Sequence, residues 1–393
     1  MKKRLLIIPS VPVWRRAEKV YFDRKFHDGI ILDCKNWQGS VELLMRVSDR
    51  APPEFGLVQL DKESFPAEVQ LIKQSEEISQ YHLKQASVVL AAGDSYKNLA
   101  IPEICQQLEI KCLYIIEYIL ETRFQIIRMS QVTPWQKIKS LVWTGLTEIK
   151  RRKAFRLASG IQANGTPAYN AYKKISSNAL LYFDSRNSAG MGITETELDS
   201  RLVYLDTDKP IRLGFSGRLI AMKGADHLLD LALILRKKNV SFTFDVFGAG
   251  DLFDVMQKQI AEFKLEDCVR LRGSVDYSKE LVPFIKKELD LFICCHLQSD
   301  PSCTYLETYS CGVPILGYAN RAHQGILDIA DVGWDVPMND IEVLADKVIY
   351  LNEHRDEIQA KARRARIFSS EHTFDQTFSR RIEQCSAVMR IID

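Results

Sequence analysis

The chain has 393 residues, which predicts two domains, and its 46% hydrophobic and 26% charged residues are typical of a globular protein. Its net charge of +2 by itself neither favours nor excludes nucleic acid, and we expect no nucleic-acid partner. No apolar run approaches the roughly 18–20 residues of a membrane-spanning helix. The nine cysteines form no Cys-x-x-Cys pair, which is typical of buried thiols in a reducing compartment, so we expect a cytoplasmic protein.

The first half of the chain contains short apolar runs separated by more polar, helix-like stretches. The basic N-terminus is followed by the apolar run 4–9, which is too short for a signal peptide and predicts a first β-strand. Further strands are predicted at 41–47, 87–92, 111–116, 160–164 and 179–183, with helical stretches such as 65–79 and 94–108 between them.

The second half alternates more regularly. Strands are predicted at 211–216, 241–248, 268–273, 290–295 and 314–318, with helix-like spacing of apolar residues between them. Strands alternating with helices imply parallel sheets covered by helices on both faces. We therefore predict an α/β fold of two Rossmann-like, doubly wound domains facing across a cleft, with ligands beyond the carboxyl ends of the strands.

A polar segment at about 187–210 contains two glycines and ends in a proline, which is typical of a linker. We place the domain boundary near residue 205, which gives an N-terminal domain 1–205 and a second domain 206–370. Asp206 and Asp208 form an Asp-x-Asp pair in this linker. Since the pair does not follow a strand end, it does not predict a metal site.

A turn rich in glycine and basic residues follows the predicted strand 211–216. Gly217 and Arg218 come directly after the strand, and Lys223 opens the next helix five residues later. Backbone amides at a helix start carry partial positive charge, so two cations beside them form an anion pocket suited to a diphosphate. The alternative is two solvated basic residues on a loop, but the combined pattern favours phosphate binding.

A second turn follows the predicted strand 290–295. Asp300 and Pro301 are typical turn residues, and Ser302 or Thr304 can cap a short helix that contains Glu307. The start of this helix again offers free amides to an anion. Glu307, one turn into the helix, can accept the two hydroxyls of a ribose. The alternatives are a surface carboxylate and an ordinary helix cap.

Four stretches share their order and spacing with a known family: GRLIAMKG (217–224), FGAG (247–250), VRLRG (269–273) and YLETYSCGVPILGY (305–318). Over about residues 210–370 the chain resembles the nucleotide-sugar-binding half of the retaining GT-B glycosyltransferases of family 4. Its end, 371–393, is similar to the helix that in this family crosses back to the N-terminal domain. The first half is compatible with an acceptor-binding domain.

The resemblance implies a role for each matching residue. Arg218 and Lys223 are implied to bind the donor diphosphate and to stabilise it as it leaves. Glu307 is implied to hold the ribose. The nucleotide-binding positions implied in this way are Gly217, Arg272, Gly273, Ser302, Cys303, Thr304 and Glu307. Because the two cations replace a metal ion, neither a metal nor another cofactor is expected.

The chain departs from the family at two places. Ser299 stands where the family has a glutamate that contacts sugar hydroxyls, so we expect Asp300 to take over this role, unless the donor is held differently. Glu117 and Tyr118 stand where many relatives have a histidine facing the sugar. Glu117 is either a sugar or acceptor ligand or a salt-bridged loop carboxylate. Asp184, Ser185 and Arg186, which follow the last strand of the first domain, are also expected to border the cleft.

The segment 133–156 combines two tryptophans with seven lysines and arginines, and several of its apolar residues fit one helical face. A basic amphipathic helix with interfacial aromatics can lie on an anionic membrane. The alternative is a domain helix with a solvated basic face. Membrane contact would suit a polyprenyl-linked acceptor and would locate the protein at the inner face of the membrane.

The leading interpretation is a metal-independent, retaining transfer of a hexose, most simply glucose, from a UDP-sugar to a saccharide or lipid-linked acceptor in polysaccharide assembly. One alternative is a UDP-sugar epimerase of the same fold, for which His296 and His323 are the only candidates near the implied site. Another is a non-catalytic partner that binds nucleotide sugars.

Overall fold

The structure is a computed structural model that describes residues 3–16, 19–52, 56–61, 63–205 and 209–390. It divides into two compact units, one formed by residues 1–182 with 375–393 and the other by 183–374. Each unit is an α/β domain built on a parallel sheet, so the predicted fold class is confirmed. The Asp206 and Asp208 pair lies outside the described residues.

The strands of the first unit, within the described residues, are β1 (Arg4–Ile8), β2 (Trp14–Arg16), β3 (Lys19–Asp23), β4 (Ser40–Arg46), β5 (Leu57–Gln59), β6 (Glu68–Ile72), β7 (Val88–Ala92), β8 (Lys111–Ile116), β9 (Gly160–Asn164) and β10 (Ala179–Tyr182). The helices up to residue 182 are α1 (Arg24–Asn36), α2 (Gln80–Leu83), α3 (Ile101–Gln107), α4 (Leu120–Met129), α5 (Pro134–Leu157) and α6 (Gly165–Tyr172). Seven strands form a parallel sheet in the order β10-β9-β8-β7-β1-β4-β6, and β2, β3 and β5 form a small antiparallel sheet.

The large sheet is covered on both faces. Alternate residues of β1 and β7 belong to two different apolar clusters: Leu6 and Val89 to one, Leu5 and Val88 to the other. Successive side chains of a strand point to opposite faces, so a strand that is buried throughout reads as a continuous apolar run. This explains why the strands were recognisable in the sequence.

The predicted helix at 65–79 is wrong, because residues 68–72 form β6, the edge strand beside β4. The side chains of Val69 and Leu71 pack against the core, and the intervening Gln70 alternates with them. This spacing of two is the period of a strand. The predicted helix 94–108 is shorter than expected and is limited to α3 with a 3₁₀ turn before it.

In the second unit, the strands within the described residues are β11 (Ile211–Ser216), β12 (Phe242–Phe247), β13 (Val269–Gly273), β14 (Leu291–Cys294), β15 (Ile315–Tyr318) and β16 (Gly333–Val336). The remaining helices of the chain are α7 (Glu195–Leu202), α8 (His227–Lys237), α9 (Phe253–Glu262), α10 (Val282–Glu288), α11 (Cys303–Ser310), α12 (Arg321–Leu327), α13 (Ile341–Glu353), α14 (Arg355–Ser370) and α15 (Phe374–Arg390). All strands pair in parallel, in the order β13-β12-β11-β14-β15-β16.

The strand order of the second sheet changes direction between β11 and β14. The chain first runs outward from β11 to β12 and β13, then returns to place β14 on the other side of β11. In open parallel sheets, ligands bind at this switch point, outside the carboxyl ends of the strands. The turn after β11 and the turn after β14 are the two segments that carry the predicted phosphate and ribose residues.

The structure divides the chain after Tyr182, about twenty residues before the predicted boundary near 205. The intervening segment is bonded to the second unit through the end of α11. The guanidinium of Arg201, on α7, donates to the carbonyl oxygens of Cys311 and Gly312. A polar composition marked this segment as a linker, but its hydrogen bonds make it part of the second domain.

The C-terminal helix α15 belongs largely to the first unit. Arg381 donates to the side-chain oxygen of Gln162 on β9 at 2.9 Å, and the Gln162 amide donates to the Arg381 carbonyl at 2.9 Å. Ile382 and Cys385 pack into the apolar cluster that contains Leu5. The helix is therefore an integral part of the N-terminal domain's core.

Candidate functional site: the switch point of the second domain

The first turn of the site follows β11 and lies against the glycine loop that follows β12. The backbone N–H of Gly217 donates to the Phe247 carbonyl at 3.1 Å. Gly248 has φ +129°, and a Cβ there would lie 1.8 Å from the Gly217 oxygen, so only glycine allows this approach. Arg218 is exposed, and it has no ion-pair partner within the part of the chain that the structure describes.

Lys223 ends a short 3₁₀ turn before α8. Gly224 follows it with φ +62°, and a Cβ there would lie 2.1 Å from the Cys295 carbonyl oxygen. The turn is thus pressed against the chain that leaves β14. As a result Lys223 is buried, with 7% of its surface exposed, and is not a solvated residue on a loop.

The ammonium of Lys223 lies 3.4 Å from both carboxylate oxygens of Asp300. The structure therefore brings together a predicted phosphate ligand and a predicted sugar ligand from opposite sides of the switch point. Ser299 is buried, and its hydroxyl accepts the backbone N–H of Arg321 at 3.3 Å. Since that hydrogen bond supports the start of α12, Asp300 has the more suitable side chain for a bound sugar.

The start of α11 lies beside this pair. Ser302 is its N-cap residue, but the Ser302 hydroxyl does not cap the helix and donates to the hydroxyl of Thr304 at 3.1 Å instead. The thiol of Cys303 lies 3.8 Å from a carboxylate oxygen of Asp184. Backbone amides at a helix start carry partial positive charge, which suits the binding of an anion such as the donor phosphates.

Glu307 is buried and is held by a residue that the sequence did not indicate as its partner. Arg186 donates from Nε and Nη2 to the two carboxylate oxygens at 2.8 and 3.0 Å. The guanidinium also lies over the ring of Tyr277, 4.1 Å from its centre. Burial opposes the charged form of Arg186, but the hydrogen bonds and charge of Glu307 outweigh it and raise the pKa of the guanidinium.

Tyr277, in the segment after β13, supplies the ring that lies against the Arg186 guanidinium. Its hydroxyl is buried without a hydrogen-bond partner among the described residues. Burial and the neighbouring Glu307 carboxylate raise the pKa of this phenol, which therefore stays neutral. The sequence placed Arg186 only at the border of the cleft and gave no signal for Tyr277. Neither residue could be linked to Glu307, because the three lie in separate segments.

The implied nucleotide-binding positions Arg272 and Gly273 lie at the end of β13. The guanidinium of Arg272 donates to the Asp245 carboxylate at 2.7 Å and lies 5.4 Å from the ring centre of Phe284. Gly273, with φ +70°, accepts the backbone N–H of Gly248 at 2.8 Å. Arg272 is thus tied to the sheet, and Gly273 supports the glycine loop next to Gly217.

Glu117 and Tyr118 lie after β8 in the first domain. The carboxylate of Asp94 accepts both of their backbone N–H groups, at 2.8 and 3.2 Å, and is paired with Arg123. Asp94 follows β7, so one carboxylate links the ends of two neighbouring strands. These partners, which sequence reasoning missed, fix the backbone that presents the Glu117 and Tyr118 side chains.

The two histidines considered for an epimerase are both buried. His296 is 1% exposed, and burial together with the nearby Lys223 charge lowers its pKa well below the usual value. Burial lowers the pKa of His323 to about 4. Both imidazoles are therefore neutral at neutral pH. No cluster of three metal-binding side chains occurs within the described ranges.

The basic stretch forms α5, and its apolar side chains are exposed. Trp135 is 74% and Ile149 69% exposed, and the set spaced along this face comprises Trp135, Ile138, Val142, Trp143, Leu146 and Ile149. Arg151, by contrast, is buried, bonded to the Gly93 carbonyl and paired with Glu148. The cations of this helix are thus not one surface patch. In the described part of the chain, no helix has the length and apolar character needed to cross a bilayer.

The second domain is similar to known proteins. Residues 200–367 match the family glycosyl transferases group 1. The amylovoran biosynthesis glycosyltransferase AmsK of Erwinia amylovora is 26% identical over 154 residues, 37% of either chain. The UDP-N-acetylglucosamine–peptide N-acetylglucosaminyltransferase GtfA subunit of Streptococcus gordonii is 23% identical over 183 residues, 46% of this chain and 35% of GtfA. The matched segments span less than half of these relatives.

The fold is matched over almost the whole chain. The structure of Anabaena Alr3699/HepE in complex with UDP is similar with a TM-score of 0.64 at 14% identity, over 98% of this chain and 99% of HepE. The protein therefore has the GT-B fold, with two Rossmann-like domains in one chain. Together with the match of residues 200–367 to the glycosyl transferases group 1, this confirms the predicted resemblance to a GT-B glycosyltransferase.

Proposed function

We propose that the protein transfers a hexose from a UDP-sugar to a saccharide or lipid-linked acceptor, with retention of the anomeric configuration and without a metal ion. The observation that carries the proposal is the arrangement at the β11–β14 switch point. There Lys223 is held 3.4 Å from Asp300, next to the start of α11. A diphosphate at this point would meet a cation and a helix N-terminus together.

Charge development in the reaction suits these groups. Breaking the bond between sugar and phosphate places negative charge on the leaving diphosphate and positive charge on the sugar. Preorganised cations such as Lys223 and Arg218 stabilise the developing anion, which is usually the largest catalytic contribution. The departing phosphate can then take the proton of the acceptor hydroxyl as it attacks from the same face, so the chain needs no nucleophile of its own.

The donor is proposed to be a UDP-hexose, most simply UDP-glucose. Structures of Alr3699/HepE hold UDP with glucose and UDP-glucose, and AmsK is a glycosyltransferase of amylovoran biosynthesis. These findings favour UDP and a role in polysaccharide assembly. GtfA transfers N-acetylglucosamine to peptide, so the same fold also serves other sugars and acceptors.

The proposal is tested by incubating the purified chain with a panel of radiolabelled UDP-sugars and a bacterial lipid extract. Label that moves from the nucleotide to a lipid or saccharide product supports transfer. Label that remains on the nucleotide while the sugar changes its configuration would identify an epimerase. Binding of UDP without either change would identify a non-catalytic partner.

Replacing Asp300 with alanine should lower sugar transfer strongly while changing UDP affinity little. Buried sugar hydroxyls left without a partner cost about 1–3 kcal/mol each, whereas UDP carries no hexose. Transfer rates and calorimetric UDP affinity are measured in parallel, with Ser299→Ala as the matched variant and an expected mild effect. Because Asp300 also pairs with Lys223, an equal loss of UDP affinity would assign the carboxylate to the phosphate loop and not to the sugar.

We further propose that α5 rests on the anionic inner face of a membrane. Its exposed apolar face includes Trp135 and Trp143, and the exposed lysines Lys139 and Lys150 lie among these residues. Apolar residues can enter the interface while lysines meet anionic headgroups. This position would bring the enzyme to a lipid-linked acceptor.

The double substitution Leu146→Glu with Ile149→Glu should reduce binding to anionic vesicles at least about tenfold, because it removes apolar burial and adds repulsion. Sedimentation with phosphatidylglycerol vesicles at low salt measures the fraction of protein that is bound. The matched control, Val255→Glu with Ile367→Glu, alters two exposed apolar residues of the second domain and should leave vesicle binding unchanged. Wild-type protein that ignores such vesicles, or a control that binds as poorly as the α5 variant, would contradict the membrane proposal.

A further inference from the structure

The side chain of Arg186 is hydrogen-bonded to the carboxylate of Glu307, which is the proposed ligand of the nucleotide ribose. Its guanidinium donates to both oxygens of Glu307 at 2.8 and 3.0 Å, in the side-by-side geometry of a bidentate pair. A ribose with its 2′- and 3′-hydroxyls also presents two neighbouring donors to one carboxylate. The Arg186 guanidinium and the ribose therefore compete for the same two carboxylate oxygens of Glu307.

The pair is unequally buried. The Arg186 side chain is 46% exposed, whereas that of Glu307 is 9% exposed. Tyr277 supports one face of the guanidinium through its ring and forms no hydrogen bond with it. Arg186 can thus leave Glu307 toward solvent without displacing packed side chains, while Glu307 remains in position.

A second anionic partner for Arg186 would lie close by when a nucleotide is bound. Glu307 is four residues, about one helical turn, beyond Cys303 at the start of α11, where the donor diphosphate is proposed to bind. A long, half-exposed arginine side chain can reach from one end of this turn to the other.

We propose that Arg186 and the ribose exchange partners: Arg186 holds Glu307 in the empty site, and on nucleotide binding the ribose takes Glu307 while the guanidinium turns to the diphosphate. The proposal rests on the donor assignment given above. It makes Arg186 a specificity residue, since a nucleotide with phosphates gives the displaced cation a new partner. A nucleoside offers none, so it must break the ion pair without compensation.

The test compares uridine and UDP binding to the wild-type protein and to Arg186→Met by calorimetry. Methionine removes the competing cation. Because uridine then no longer has to break the ion pair between Arg186 and Glu307, its affinity should rise about tenfold. UDP should change less than about threefold, because the freed Glu307 offsets the lost phosphate contact. Arg236→Met, which removes an exposed pair with Asp267, is the matched control and should change neither affinity.

A second variant covers the case in which Arg186→Met does not fold. Arg186→Lys keeps the charge but cannot form the two-point fork, so its uridine affinity should rise by about threefold. If UDP binds the wild type but neither folded variant gains affinity for uridine, the exchange is wrong and Arg186 merely supports Glu307. If the wild type binds no UDP, the donor assignment fails, and the exchange fails with it.

Discussion

Replacing Lys223 with alanine should lower the rate of sugar transfer by about 100- to 1,000-fold, because one preorganised cation at a developing anion is worth roughly 2–4 kcal/mol. The effect should appear in the rate at saturating donor. UDP affinity should also fall, whereas uridine affinity should be unchanged, since uridine has no phosphate. Transfer assays and calorimetry with the two ligands distinguish these effects.

The burial of Lys223 makes a folding control necessary. Its removal leaves the Asp300 side chain, which is 15% exposed, without its cation, so thermal unfolding should be recorded for the variant. Lys258→Ala removes an exposed lysine on α9 and should leave both stability and transfer unchanged. A folded Lys223→Ala protein with near-normal turnover would contradict the assignment of Lys223 to the donor diphosphate.

Replacing Glu307 with alanine should weaken nucleotide binding by about 10- to 100-fold, which corresponds to a charge-assisted hydrogen bond of roughly 1.5–3 kcal/mol to the ribose. The loss should be similar for UDP, the UDP-sugar and uridine, because all three carry the same ribose. Equal losses across the three ligands would set Glu307 apart from Lys223, whose removal should spare uridine. Calorimetric titration of the variant with each ligand measures these losses of affinity.

The matched control for this substitution is Glu266→Ala, which removes an exposed glutamate of the same domain. It should bind all three ligands as the wild type does. If UDP binds Glu307→Ala with unchanged affinity, Glu307 is not the ribose ligand, and its pairing with Arg186 serves the fold alone. In that case the partner exchange proposed for Arg186 would have no basis either.

The parallel-sheet architecture followed from local patterns. The strands β7 (Val88–Ala92) and β14 (Leu291–Cys294) are buried throughout, so each appears as a continuous apolar run in the sequence. Turn chemistry is equally local: a glycine beside Lys223 and a glycine at position 248 mark close backbone approaches that the structure contains. Only the edge strand 68–72 was mistaken for a helix, because it is incompletely buried and its apolar pattern is short.

The sequence by itself determined the fold class and the two turns that carry the candidate donor site, because strand period, glycine turns and helix starts depend on neighbouring residues. Only the tertiary structure decided which side chains meet. Arg186 reaches Glu307 across 121 positions, and Arg151 turns inward to Gly93 although it stands in a basic run. Such pairings depend on packing between distant segments, and a linear pattern carries no record of that packing.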